Sequence, residues 1–268
     1  MAASELTVRR VVVATDSAAR VEPLIEAAAA LALGLQAELR AVVVQSARLA
    51  RAAALPFTRE LGVASAATRA FEPSGVERML RAQADLVRQA LDATARALQV
   101  RWALDVVQGE MVPTLLTHFG AGDTLVIGRG ASFAAGLART AVAPAPLARL
   151  KAGPVAVVLD GTAPAERALD AAQAYAQVAA TEIVVLVPAA SPEAFRRARK
   201  TVGDWLARRG LAAVDYVIVP GRDALQVARA ARAVRASVLL WPGQASLRTA
   251  SGVANLLEGA GCPVVVIP

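Results

Sequence analysis

Val155-Ala156-Val157-Val158-Leu159-Asp160-Gly161-Thr162 is an unbroken apolar run that ends on an acid and a turn. Apolar residues without alternation, closed by Asp-Gly, suit a strand buried on both faces. From about Pro164 to Val178 the chain is alanine-rich and reads as a helix, and Glu182-Ile183-Val184-Val185-Leu186-Val187 reads as a second strand. The same succession occurs earlier. Val11-Val12-Val13-Ala14-Thr15-Asp16 leads into a helical stretch ending near Leu35, and then into Glu38-Leu39-Arg40-Ala41-Val42-Val43-Val44. Asp16 to Asp160 and Glu38 to Glu182 are both 144 positions. One offset held over strand, helix and strand indicates an internal duplication.

The repeat continues with a shift. Asp105-Val106-Val107-Gln108-Gly109 matches Asp215-Tyr216-Val217-Ile218-Val219-Pro220-Gly221 at its glycine, an offset of 112. Each is followed by a short helix, through His118 or Val234, and by a fourth strand, Asp123–Ile127 or Ser237–Leu240. The two offsets differ by 32, so the first half carries an insertion at about 46–74, ahead of a long helix near Val76–Leu98. That helix puts Val76, Met79, Leu80, Val87, Ala90, Leu91, Thr94 and Leu98 on one face. The insertion, rich in Ala and Arg with Pro56 and Pro73, reads as a lid, a dimer arm or a loop. Strands alternating with helices predict parallel sheets with right-handed crossovers. A ligand would sit beyond the strands' C-terminal ends, where the strand order reverses. Those places are Asp16–Ser17 with Gly128–Gly136, and Asp160–Thr162 with Trp241–Gly252.

Composition agrees. The 268 residues are 56% hydrophobic but only 4% aromatic, and 65 are alanine. Small-residue helices against β-branched strands need this mixture, and it excludes disorder, collagen-like repeats and a disulfide scaffold. No apolar run approaches the roughly 18–20 residues that span a bilayer. Met1–Arg10 lacks the apolar core of a secretory signal, and the lone Cys262 fits a reducing compartment, so a cytoplasmic protein is expected. The formal charge is +7, and 27 of the 29 basic residues are arginine. These arginines recur at helical spacing, as in Arg229, Arg232 and Arg235, with few aromatics between them. That pattern reads as a solvated surface or a polyanion site; nucleic acid is not the expected partner.

Asp160-Gly161-Thr162 with Glu166-Arg167-Ala168-Leu169, then Gly221-Arg222-Asp223-Ala224-Leu225, then Gly261-Cys262-Pro263-Val264-Val265-Val266-Ile267 resemble the universal stress protein family. The first half repeats the pattern at Asp16-Ser17 and at Leu125-Val126-Ile127-Gly128-Arg129-Gly130, so the resemblance is to the tandem form. It implies two doubly wound parallel-sheet domains of strand order 3-2-1-4-5, at 1–153 (with the insertion) and 154–268. It also implies a homodimer and, in some members, a site for ATP, AMP or another adenine nucleotide. In those members a Gly-x2-Gly-x9-Gly-Ser/Thr loop after strand four wraps the phosphates, because glycines let backbone N–H groups approach an anion. The resemblance places Asp16, Val43, Gly128, Arg129, Gly130 and Thr140 in the first nucleotide site. In the second it places Asp160, Val187, Gly243, Ser251 and Gly252.

The chain departs from that loop twice. Gly128-Arg129-Gly130 is one residue short, with Thr140-Ala141 in place of the later pair and Pro144 and Pro146 beyond it. In the second half Trp241-Pro242 fills the first-glycine region, Gly243 remains, and the later pair is inverted to Ser251-Gly252. Three readings follow: a ligand-sensing stress protein that binds a nucleotide weakly, a dimerisation scaffold without a ligand, or a slow nucleotide hydrolase. The last lacks support. There is no Gly-x4-Gly-Lys-Ser/Thr loop, no Gly-x-Ser-x-Gly elbow and no His/Cys cluster for a metal. His118 and Cys262 read as structural, and Trp102 and Trp205 as packing anchors. Trp241 is the aromatic whose loop position suits ligand stacking. Asp16 and Asp160 are equally suited to capping the helices after them.

Topology poses a further question. Pro154–Val158 matches the closing strand Pro263–Ile267 as well as the opening strand Val11–Asp16. One strand thus stands where two are required. Used as the first strand of the second domain, it leaves 123–127 as an edge of the first. The expectation is that another chain or the insertion covers this edge.

Overall fold

The computed structural model describes residues 8–16, 21–61, 68–111, 113–114, 119–120, 122–128, 150, 153–208, 210, 214–221, 223–243, 256 and 259–268. In the first half, β1 (Arg10–Thr15) leads to α1 (Val21–Gly34) and β2 (Glu38–Ser46). Then come α2 (Ala47–Ala53), β3 (Arg59–Leu61), β4 (Thr68–Ala70), α3 (Pro73–Leu98), β5 (Trp102–Gly109) and β6 (Asp123–Ile127). The second half has β7 (Val155–Val158), α4 (Ala163–Ala179), β8 (Ile183–Ala189) and α5 (Pro192–Arg208). It closes with β9 (Asp215–Pro220), α6 (Ala224–Ala233), β10 (Val238–Pro242) and β11 (Val264–Ile267).

Strand register carries the duplication. Val11 pairs with Leu39 as Val155 pairs with Ile183, both shifted by 144. Val43 pairs with Val106 as Val187 pairs with Ile218, shifted by 144 on one strand and 112 on the other. These ladders are parallel, and their central strands are buried. The inserted segment forms structure of its own. The Ser46 hydroxyl accepts the Leu49 N–H at 3.3 Å and caps α2. β3 and β4 pair antiparallel, and Ala53, Val76 and Leu80 form a small separate core where the segment meets α3.

Among the described residues the two halves share one nine-stranded sheet, ordered β5-β2-β1-β6-β11-β10-β7-β8-β9. The second half is 3-2-1-4-5 and the first is 3-2-1-4 (each numbered within its half). β7 is the central strand of the second half, parallel to β8 and β10. The edge at β6 is covered, but neither by the insertion nor by a second chain. β11 lies on it antiparallel, with Val264, Val265 and Val266 opposite Ile127, Val126 and Leu125. Both strands are buried along their length, so each supplies the apolar surface and the ladder the other lacks. Arg10 and Asp123 tie β1 to β6 at its start, with nitrogen and oxygen 2.6 Å apart.

A helix pair forms the second weld. Ala27 to Ala32 of α1 are all buried, which marks a helix enclosed on every side. α1 lies against α4, close enough that a Cβ built on Gly34 would stand 2.6 Å from the Ala174 carbonyl oxygen. Beside this crossing Tyr175 and Glu26 are buried, and burial pushes the Tyr175 hydroxyl well above its ordinary pKa. Where the chain passes between halves, a side chain at Gly153 would strike the Arg235 carbonyl oxygen, so only glycine fits.

Two alanine substitutions separate packing from helix propensity. Gly34→Ala drives a methyl into backbone and should destabilise the fold by ~1–3 kcal/mol. Gly203→Ala in α5 meets nothing within 4 Å and should stabilise by ~0.5–1 kcal/mol. Urea unfolding of the two variants checks both signs.

Candidate functional site

Doubly wound sheets place ligands at the C-terminal ends of the strands on either side of the order reversal. In the first half those strands are β1 and β6. Thr15 ends β1 and pairs with Val43 of β2. Extending the Val13–Val126 pairing by two residues sets Thr15 level with Gly128. Asp16 follows and is exposed. The fold therefore brings Asp16, Val43 and Gly128 to one end of three adjacent strands. Val43 is buried beneath them rather than open to solvent. Gly128 lies over α1, where a Cβ would stand 2.6 Å from the Leu24 methyl Cδ2. Arg129, Gly130 and Thr140 lie outside the described residues.

The second half is arranged differently. Extending the Val157–Leu240 pairing sets Asp160 level with Gly243, which has φ +84°. Val187 is buried in β8. Asp160 is engaged in a local turn, its Oδ1 accepting the Thr162 N–H at 3.1 Å and the Thr162 hydroxyl at 2.6 Å. Gly161 between them has φ +81°, which only glycine adopts at no cost. The turn leads into α4, whose N-cap residue is Thr162, not Asp160, and no side-chain bond from Thr162 caps the helix. Ser251, Gly252 and His118 lie outside the described residues.

Trp241 is not a loop residue. β10 runs through Trp241 and Pro242, paired with Val266 and Ile267, and Gly243 continues the ladder by donating its N–H to the Ile267 carbonyl at 2.7 Å. Trp241 is buried in the core on one face of the sheet, beside Val158, Val266 and Leu256. The pairing with β11 extends the strand two residues past the expected end and converts the first-glycine region into sheet. Trp205 is likewise core, and Trp102 is half-buried at the start of β5.

A cleft of about 470 Å³ opens beside Gly128. Pro23 and Leu24 of α1 form one wall. The opposite wall belongs to the second half: Arg232 and Arg235 at the end of α6, and Gly261-Cys262-Pro263 leading into β11. Sequence spacing could not place these arginines near Gly128, since only the antiparallel β6–β11 pairing joins the two ends. Their helical spacing left a solvated surface and a polyanion site both open. The half-buried Cys262 thiol is pushed up to about 12 by burial. Among the described residues no group of His, Cys, Asp and Glu is placed to hold a metal ion. No helix among them is long and apolar enough to cross a membrane.

No protein-family model matches the chain. No curated protein matches it either. Solved structures do. A universal stress protein from Archaeoglobus fulgidus DSM 4304 superposes with a TM-score of 0.56 at 11% identity, over 96% of this chain and 97% of that one. A protein of the same family from Burkholderia pseudomallei is 29% identical over 44% of this chain and 97% of its own, with a TM-score of 0.35. A universal stress protein in complex with cAMP is 20% identical over 43% of this chain and 96% of its own, with a TM-score of 0.37. The architecture is a tandem α/β fold with strand-end clefts. It is the fold of the universal stress proteins, as the motifs implied.

A raised thiol pKa has a sign. The folded value lies above that of the unfolded chain, so its stabilising contribution is whole below about pH 8.5 and is lost as pH rises toward 12. Cys262→Val should lessen the fall in stability between those values. Wild-type Cys262 should react with a disulfide reagent at pH 8 at least about ten-fold more slowly than in the unfolded chain. Alkaline unfolding curves and thiol kinetics measure the two effects.

Proposed function

We propose that this chain is a tandem universal stress protein that senses a small ligand without turning it over, and that the ligand is an adenine nucleotide held in the first half. One observation carries the choice of half. Gly128, at the end of β6, borders an open cleft, whereas in the second half Trp241 lies within the sheet and Asp160 is engaged in the Asp160–Thr162 turn. Exposed Asp16, level with the end of β6, suits a hydroxyl-bearing sugar. ATP and AMP are the proposed ligands. Domains at 1–153 and 154–268, a cytoplasmic location, a role in stress response and a homodimer belong to the same reading. With β6 covered internally, the outer strands β5 and β9 remain as the sheet's ends.

Calorimetric titration with ATP, AMP and cyclic AMP tests the proposal. Saturable binding at or below millimolar ligand, weakened several-fold in Asp16→Ala and unchanged in Asp160→Ala, is expected. Absence of binding at millimolar ligand favours the scaffold. Phosphate release abolished by Gly130→Ala would instead revive the hydrolase.

A further inference from the structure

The cleft beside Gly128 is made by two parts of the chain that share no strand-to-strand connection in sequence. Its glycine and α1 wall come from the first half. Its charge comes from the second, as Arg232 and Arg235. Among the described residues, no acid forms an ion pair with either arginine, although six salt bridges use arginines of the first hundred residues to hold nearby strands and helices. An arginine in the last turn of a helix complements the helix dipole, which is a sufficient local reason for Arg232. It is not a reason for Arg235.

Arg235 stands just past α6 with φ +54°. The Ala236 N–H reaches back to the Ala231 carbonyl at 3.0 Å, the closing bond of a helix end that places one residue in the left-handed region. Glycine is the usual occupant there, since a Cβ is penalised. Here the position holds a long cation lining a cavity.

We propose that Arg232 and Arg235 hold the phosphate groups of the ligand bound at the first-half strand ends, so that the site is complete only when β11 has docked on β6. The identity of the ligand rests on the nucleotide reading above; the charge of the cleft does not. The guanidinium groups supply the donors and positive charge, and the cleft of about 470 Å³ supplies the room. Ligand phosphate then bridges the two halves. Binding therefore strengthens the seam, and any event that opens the seam releases the ligand.

Calorimetry on the full chain with ATP, adenosine and tripolyphosphate tests this, using Arg232→Ala, Arg235→Gly and the double variant. Wild type should bind ATP at least about ten-fold more tightly than adenosine. The double variant should lose about ten-fold or more for ATP while adenosine binding is unchanged. Arg235→Gly carries its own control, because it relieves the left-handed strain. Its melting temperature should rise while ATP affinity falls, an outcome that a purely structural role for Arg235 does not produce. Unchanged ATP affinity in the double variant overturns the inference and leaves the nucleotide reading standing. If wild type binds no nucleoside or nucleotide, the nucleotide reading falls, and tripolyphosphate decides the cleft. Binding that vanishes in the double variant supports a seam anion site, and no tripolyphosphate binding overturns it.

Discussion

The antiparallel ladder between β6 and β11 is the contact on which the rest of this molecule depends. Val264 to Val266 lie against Leu125 to Ile127, and both strands are fully buried. An unpaired β6 would leave a row of backbone donors and acceptors at the centre of an apolar assembly, a cost that folding must remove. A fifth strand within the first half would have done so. The chain uses one strand for two purposes instead, and the second half turns over so that its last strand runs against the first half's fourth. That reversal sets α1 beside α4 and carries the end of α6 to Gly128.

Alanine abundance follows from the same arrangement. α1 is covered by its own sheet, by α3 and by α4, so it has no solvent face of ordinary width. Only small side chains allow this, and Gly34 marks the point where even alanine is too large. Helices so close together gain dispersion over many short contacts and lose little side-chain entropy in doing so. The charge is organised differently. Several arginines are held in short pairs, such as Arg40 with Asp105 at 2.6 Å, and the arginines lining the cleft have no such pair among the described residues.

Much of the fold was legible in the residues. The 144 and 112 offsets reappear as strand registers, because parallel pairing copies sequence spacing into space. The helix over Val76–Leu98 was legible from its apolar period, and the fate of the shared strand Val155–Val158 from the Asp-Gly-Thr after it. What covers β6 was not legible. An antiparallel contact between strands far apart in sequence has no spacing signature, and β11 looks like any buried strand. Trp241 was misplaced for the same reason, since the strand that extends β10 over it is β11. Of the candidate residues, Asp16, Val43 and Gly128 stand level on three adjacent strands, while Arg232 and Arg235 come to Gly128 only through the seam.

The seam is therefore the claim to test first. Native-state hydrogen exchange, resolved by residue, reads it at the amides of β6 and β11. Amides of Leu125 to Ile127 and Val264 to Val266 that point into their shared ladder should exchange only through global unfolding, with one common free energy. Exchange of the β6 amides at the rate of an open sheet edge, while β11 stays protected by β10 alone, would contradict the single sheet and the bipartite site built upon it.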